Sequence, residues 1–162
     1  PKRDFLEAVD SMIFDYERSR ERKVLTKQEL DEYYWKTFSP VVDILLMGLK
    51  SKLRASDIPT LSLAQGRLYS LRDLETDWSR GTINVPQEML AQSCLTANSS
   101  IEELKDNFEI QKWFKEECAS NLGDLSALRD FLKENGETVT NAICVRMTKW
   151  MINFAKDNST IS

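Results

Sequence analysis

Asp73 and Asp77, four residues apart in the run Asp73-Leu74-Glu75-Thr76-Asp77, are the side chains of this sequence best suited to chemistry. On a helix that spacing sets both carboxylates on one face, about one turn apart. Two such groups can share a hard cation. Mg2+ prefers a few carboxylates, several waters and the oxygens of a substrate phosphate, so an open DxxxD face suits a Mg2+-bound diphosphate better than an enclosed cage. Departure of the diphosphate becomes easier when metal ions and nearby cations neutralise the charge growing on its leaving oxygens. Arg72 and Arg80 lie close in sequence, and Arg80 falls near the acidic face. Glu75 points away from it and is expected to be structural. Acidic pairs at this spacing also occur on solvated helix faces, so the pair alone is a weak signal.

Composition narrows the alternatives. The chain has 162 residues, 22 Lys and Arg against 26 Asp and Glu, and 41% hydrophobic residues, which describes one soluble domain over residues 1–162. Its net charge of −4 gives no general attraction to nucleic acid, and no nucleic-acid partner is expected. With no histidine, Ser-His-Asp and Cys-His catalysis, His-ligated zinc and His-held haem all lack their key residue. Carboxylates must carry most of any catalysis. Cys94, Cys118 and Cys144 are odd in number and contain no CxxC pair, and read as reduced core thiols of a cytoplasmic protein. The start, Pro1-Lys2-Arg3-Asp4, leads into an amphipathic helix rather than a targeting signal. The longest apolar run, Val41 to Leu49, contains Asp43 and is too short to span a bilayer, which leaves only peripheral membrane contact open.

The elements that must position the acidic pair are helices. Phe5, Val9, Met12, Ile13 and Tyr16 recur at helical spacing, followed by a charged run to Lys23 that reads as a solvated helix end. Thr26 with Glu29 forms a capping box for a second helix through Leu30, Tyr34 and Phe38, with a kink expected at Pro40 and a buried segment from Val41 to Met47. Asp57 or Thr60 opens a third helix running to about Ser79, closed by Gly81 and Pro86. It gathers Ala64, Leu68, Leu71 and Trp78 on one side and Gly66, Tyr69, Ser70, Asp73 and Asp77 on the other. Ser99 or Ser100 with Glu103 opens a further helix, Ile110 to Leu132 forms another, and Asn135-Gly136 is a turn. Ile143, Met147, Trp150, Met151 and Phe154 stripe the last helix, and Asp157 to Ser162 is expected to fray. No stretch alternates as a strand should, so the reading is all-α, with five to seven helices around one core.

The segment from Leu71-Arg72-Asp73 through Asp77-Trp78-Ser79-Arg80-Gly81 to Val85-Pro86-Gln87-Glu88 resembles the second aspartate motif of the squalene and phytoene synthase family, roughly LRDxxED, a small-basic-Gly stretch, then YLPxE. Phe5 to Asp15 is similar to that family's helix ending in a Met-Asp-Leu segment, with Asp15 at the aspartate and Arg20 at a family arginine. Asp31-Glu32-Tyr33-Tyr34 through Gly48 resembles its Tyr-rich, tunnel-lining helix, and Ser100 to Leu104 with Trp113-Phe114 matches a helix start and an aromatic anchor.

This resemblance implies a helical bundle of the isoprenoid synthase type, in which two aspartate motifs face each other across a cavity and bind prenyl diphosphates through Mg2+. Asp73 and Asp77 would be the metal ligands, with Asp15, Arg20 and Arg80 on the diphosphate side and Leu45, Leu46 and Met47 among the tunnel walls. Family members couple two prenyl chains or cyclise one. The resemblance leaves any need for NADPH open.

Three departures stand out. The family's other DxxxD belongs upstream of Phe5, and no residues here match it. Gly66 and Tyr69 stand where the family usually has Gln and Asn or Asp. Thr82 and Asn84 stand where it has Arg and Tyr. The chain is then expected to be one part of a synthase, completed by an N-terminal segment or a second subunit, or else a scaffold of the same fold acting in assembly. A bundle short of helices should expose an apolar groove that demands a partner or self-association.

Overall fold

Thr26 and Ser100 start helices in the way their spacing to a glutamate requires. The Glu29 N–H donates to Thr26 Oγ1 at 3.2 Å while the Thr26 N–H donates to Glu29 Oε2 at 2.8 Å, and Ser100 and Glu103 repeat the exchange at 3.1 and 2.7 Å. In this computed structural model, which describes residues 2–135 and 138–159, the chain forms α1 (Lys2–Glu21), α2 (Lys27–Gly48), a 3-10 turn (Ala55–Asp57), α3 (Pro59–Arg72), α4 (Leu74–Arg80), α5 (Gln87–Gln92), α6 (Ile101–Asp106), α7 (Phe108–Glu134) and α8 (Thr138–Ser159). No strand occurs among the described residues, and the all-α reading holds.

The main core lies where α2, α3, α7 and α8 meet. Val42, Leu46, Leu61, Leu68, Leu125, Leu132 and Met151 are almost wholly buried there, each stabilising the fold by about 1.5–3 kcal/mol. A second cluster, Trp78, Ile83, Val85, Leu90, Leu104 and Ile110, lies beneath α4 and the loop that follows it. A third, Leu25, Leu30 and Tyr34, joins the start of α2 to α1 through Phe14 and Tyr33. The polar elements above these clusters therefore rest on rigid apolar floors.

Several expectations need correction. The third helix does not run to Ser79: it ends at Arg72, Asp73 occupies the junction, and α4 begins at Leu74. Its first residue is Pro59, whose missing N–H costs nothing at a helix start. Helix α2 continues past a buried Pro40 as expected, but of the segment that follows, read as buried, only Val42 and Leu46 are buried, while Val41 and Ile44 are about half exposed. The apolar residues of α1 do not all face inward: Leu6, Met12, Ile13 and Tyr16 are exposed, and Ser11 and Arg18 are buried instead. Cys118 and Cys144 are core thiols, but Cys94 is exposed in a left-handed turn at φ 56°. Asp157 and Asn158 belong to α8, where Asn158 Nδ2 donates to the Phe154 carbonyl at 2.8 Å. The Phe5 side chain, Gly136 and residues 160–162 lie outside the described residues.

Candidate functional site

The break between α3 and α4 sets the geometry of the acidic pair. Asp73 takes φ −96° and ψ 10°, donates its N–H to the Tyr69 carbonyl at 2.9 Å, and accepts the Asp77 N–H on its own carbonyl at 2.8 Å. The one-turn spacing therefore survives the junction. Both Asp73 carboxylate oxygens face Arg72, whose Nε and Nη2 donate at 2.8 and 2.6 Å. That guanidinium lies 4.6 Å from the Tyr69 ring centre and 5.3 Å from that of Trp150, and Tyr69 stacks on Phe38 at 5.8 Å. The hydrogen bonds from Arg72 hold the Asp73 carboxyl below its ordinary pKa, against the effect of its partial burial.

Asp77 occupies the opposite environment. It is half-buried and accepts a hydrogen bond from Asn84 Nδ2 at 2.9 Å. Burial, then the charges of Asp73 and Asp15, push its pKa up to about 6, with Arg18 and Arg80 pulling the other way.

Behind Asp77 stands a guanidinium that is 1% exposed. Arg18 Nε donates to Asp15 Oδ1 at 2.7 Å, Nη2 to Asn84 Oδ1 at 2.7 Å and Nη1 to the Ile83 carbonyl at 3.1 Å, and the group lies 4.5 Å from the Tyr33 ring centre. Burial, followed by the Asp15 charge, pushes the Tyr33 phenol up to about 12. Gly81, at φ 91°, lets the loop lie this close to α1, because a Cβ there would collide with the Ser19 carbonyl.

Of the residues singled out in the sequence, Asp73 and Asp15 both act electrostatically on Asp77, and Arg80, exposed on α4, acts on both members of the pair. Arg20 does not join them: it is exposed, 5.7 Å from the Tyr16 ring centre. The inward arginine is Arg18, which the charged run from Glu17 to Lys23 had placed at a solvated end. The sequence carries no sign of this, since Arg18 follows Ser11 by seven residues on the face opposite Met12 and Ile13, which an amphipathic pattern reads as the solvent side. Glu75 lies outside, paired with Lys105 at 2.9 Å, and Trp78 is buried in the second apolar cluster with Nε1 donating to the Ser99 carbonyl at 3.0 Å.

Among the described residues no three acidic, Cys or His side chains form a ready-made metal centre. Two carboxylates one turn apart, Asp73 and Asp77, fit Mg2+ held mainly by water and diphosphate oxygens. Asp73 could join only in exchange for Arg72. The face that lost its polar groups is closed by rings, since a Cβ on Gly66 would lie 2.5 Å from Tyr34. Two open clefts, of about 630 and 830 Å³, flank α2, and neither is lined by Asp73 or Asp77.

A family model described as squalene/phytoene synthase matches residues 1–150. Neither a curated protein nor a solved structure gives a significant match.

Proposed function

The chain belongs to the squalene/phytoene synthase family, and from that premise we propose that it supplies the second-aspartate side of a Mg2+-dependent site for prenyl diphosphates. Asp73 and Asp77 would hold the metal, which when bound supplies positive charge against the diphosphate leaving group. Arg80 would face the diphosphate from α4, Asp15 would complete the acidic wall from α1, and Arg20 would act only from the outer surface. The observation that carries this reading is the setting of Asp77: a half-buried carboxylate one turn from Asp73, on which the Asp73 and Asp15 charges also act, is one that a bound cation would relieve. The exposed apolar side chains of α1 support completion by a further segment or subunit carrying the opposing aspartate motif. The setting we propose is cytoplasmic, with any membrane contact peripheral.

A second reading, a non-catalytic module of the same fold acting in assembly, is favoured by two observations. The arginines Arg18 and Arg72 already engage Asp15 and Asp73, and Tyr34 fills the space over Gly66. Incubation with Mg2+ and C15 or C20 prenyl diphosphates, with and without a second polypeptide bearing the upstream DxxxD, separates the two. Pyrophosphate release that disappears in Asp73→Asn and Asp77→Asn supports the enzyme. Absence of release in every pairing, together with no Mg2+ binding, replaces it with the assembly module.

A further inference from the structure

We infer that Arg18 and Asn84 are positioning residues that fix the carboxylate of Asp77, an assignment that rests on the diphosphate-site reading above. Asn84 is 5% exposed and has both ends of its amide committed: Oδ1 accepts from Arg18 Nη2 at 2.7 Å, and Nδ2 donates to Asp77 Oδ2 at 2.9 Å. The bond from Arg18 settles which end of the amide is oxygen, because a guanidinium has no acceptor. The opposite end must then be the donor, and it points at Asp77. Arg18 cannot rotate away, since Asp15 and the Ile83 carbonyl hold its other nitrogens and Tyr33 covers its face. Val85 and Ile83, both fully buried, anchor the loop on either side of Asn84. A rigid chain therefore runs from α1 through the loop to one oxygen of Asp77. Groups that bond a ligand-bearing carboxylate from behind set its direction and basicity, and losing them weakens metal binding about 10–100-fold. The resemblance places a tyrosine at Asn84, so this chain holds its aspartate by a different device.

Two measurements decide the assignment. In the first, the side-chain amide protons of Asn84 are followed by 15N–1H NMR without any ligand. They should be well separated and protected from exchange in the wild type, and one of them should move in both Asp77→Ala and Arg18→Lys while the backbone spectrum stays folded. An Asn84 amide with free, averaged protons, or one indifferent to both substitutions, overturns the relay whatever the site binds. The second measurement is the affinity for Mg2+ with inorganic pyrophosphate, with Val85→Ala as the control for loop stability. Asn84→Ala should weaken binding about tenfold, whereas Val85→Ala should lower the melting temperature and leave affinity within about twofold. Equal losses in the two variants would reduce Asn84 to a structural latch, and no loss in Asn84→Ala would likewise refute its positioning role. Should the wild type bind no Mg2+ with pyrophosphate, the diphosphate reading fails, and the amide signal alone then decides whether Asn84 and Arg18 hold Asp77.

Discussion

The two carboxylates of the DxxxD motif occupy regions with opposite electrostatics. At the rim, Asp73 sits at a helix junction with Arg72 on both oxygens, and its pKa falls. One turn further in, Asp77 is half-buried beside Asp15 and Asp73, and its pKa rises to about 6. The same residue type on the same face thus acquires a fixed charge at the rim and a charge that titrates near neutrality inside. What differs is the supporting layer: an exposed arginine on aromatic rings at the rim, and a buried network joining two distant elements within.

The largest expected effect breaks the inner region. Arg18→Ala leaves Asp15 and Asn84 without their buried partner and should cost about 3–5 kcal/mol in urea unfolding, whereas Arg20→Ala, on the outer surface of the same helix, should stay within about 0.5 kcal/mol. Comparable costs for the two would mean that Arg18 is not the buried anchor. Next is Gly66→Ala, whose methyl group would press on Tyr34 and should cost about 1–3 kcal/mol by thermal unfolding. A neutral result would show that the aromatic cover yields readily and that space for a prenyl chain opens there.

Asp77→Asn has the opposite sign. A carboxyl whose folded pKa exceeds its unfolded value makes the fold lose stability as pH rises from about 4 to about 6, and above that the penalty is constant. Allowing for its half exposure, the substitution should stabilise the protein at pH 8 by about 1 kcal/mol, or roughly 2–4 °C in melting temperature. The gain should vanish at about pH 4, and a gain independent of pH would remove the charge argument. The smallest effect belongs to Asp73→Asn. Its lowered pKa gives stability at neutral pH that is lost as pH falls through the folded value, and as an exposed pair it should contribute less than about 1 kcal/mol. A larger loss at pH 7 would make the rim as structural as the interior.

Much of the scaffold was legible because its signals are local. The capping boxes at Thr26 and Ser100 need only residues three apart, and the stripe through Trp150 and Phe154 needs only one helix. The break at Asp73 left no such mark: the helical period runs on through Leu74 and Trp78 with neither Gly nor Pro between. Arg18 was misplaced because its partners Ile83 and Asn84 lie 65 and 66 residues away, and nothing in a charged run says which member will meet them. The stripe on α1 showed that the helix has an apolar side, but an amphipathic pattern does not identify what that side faces. Pairing Asp73 with Asp77 needed only their spacing, whereas their unlike environments depended on the loop carrying Asn84.

The most direct test of a cation-seeking site is the titration of the Asp77 side-chain carboxyl by 13C NMR, alone and with Mg2+ and pyrophosphate. The free protein should titrate at about 6, and the bound cation should carry that value well below its free-protein level. An ordinary carboxylate value that Mg2+ and pyrophosphate leave unchanged would contradict it.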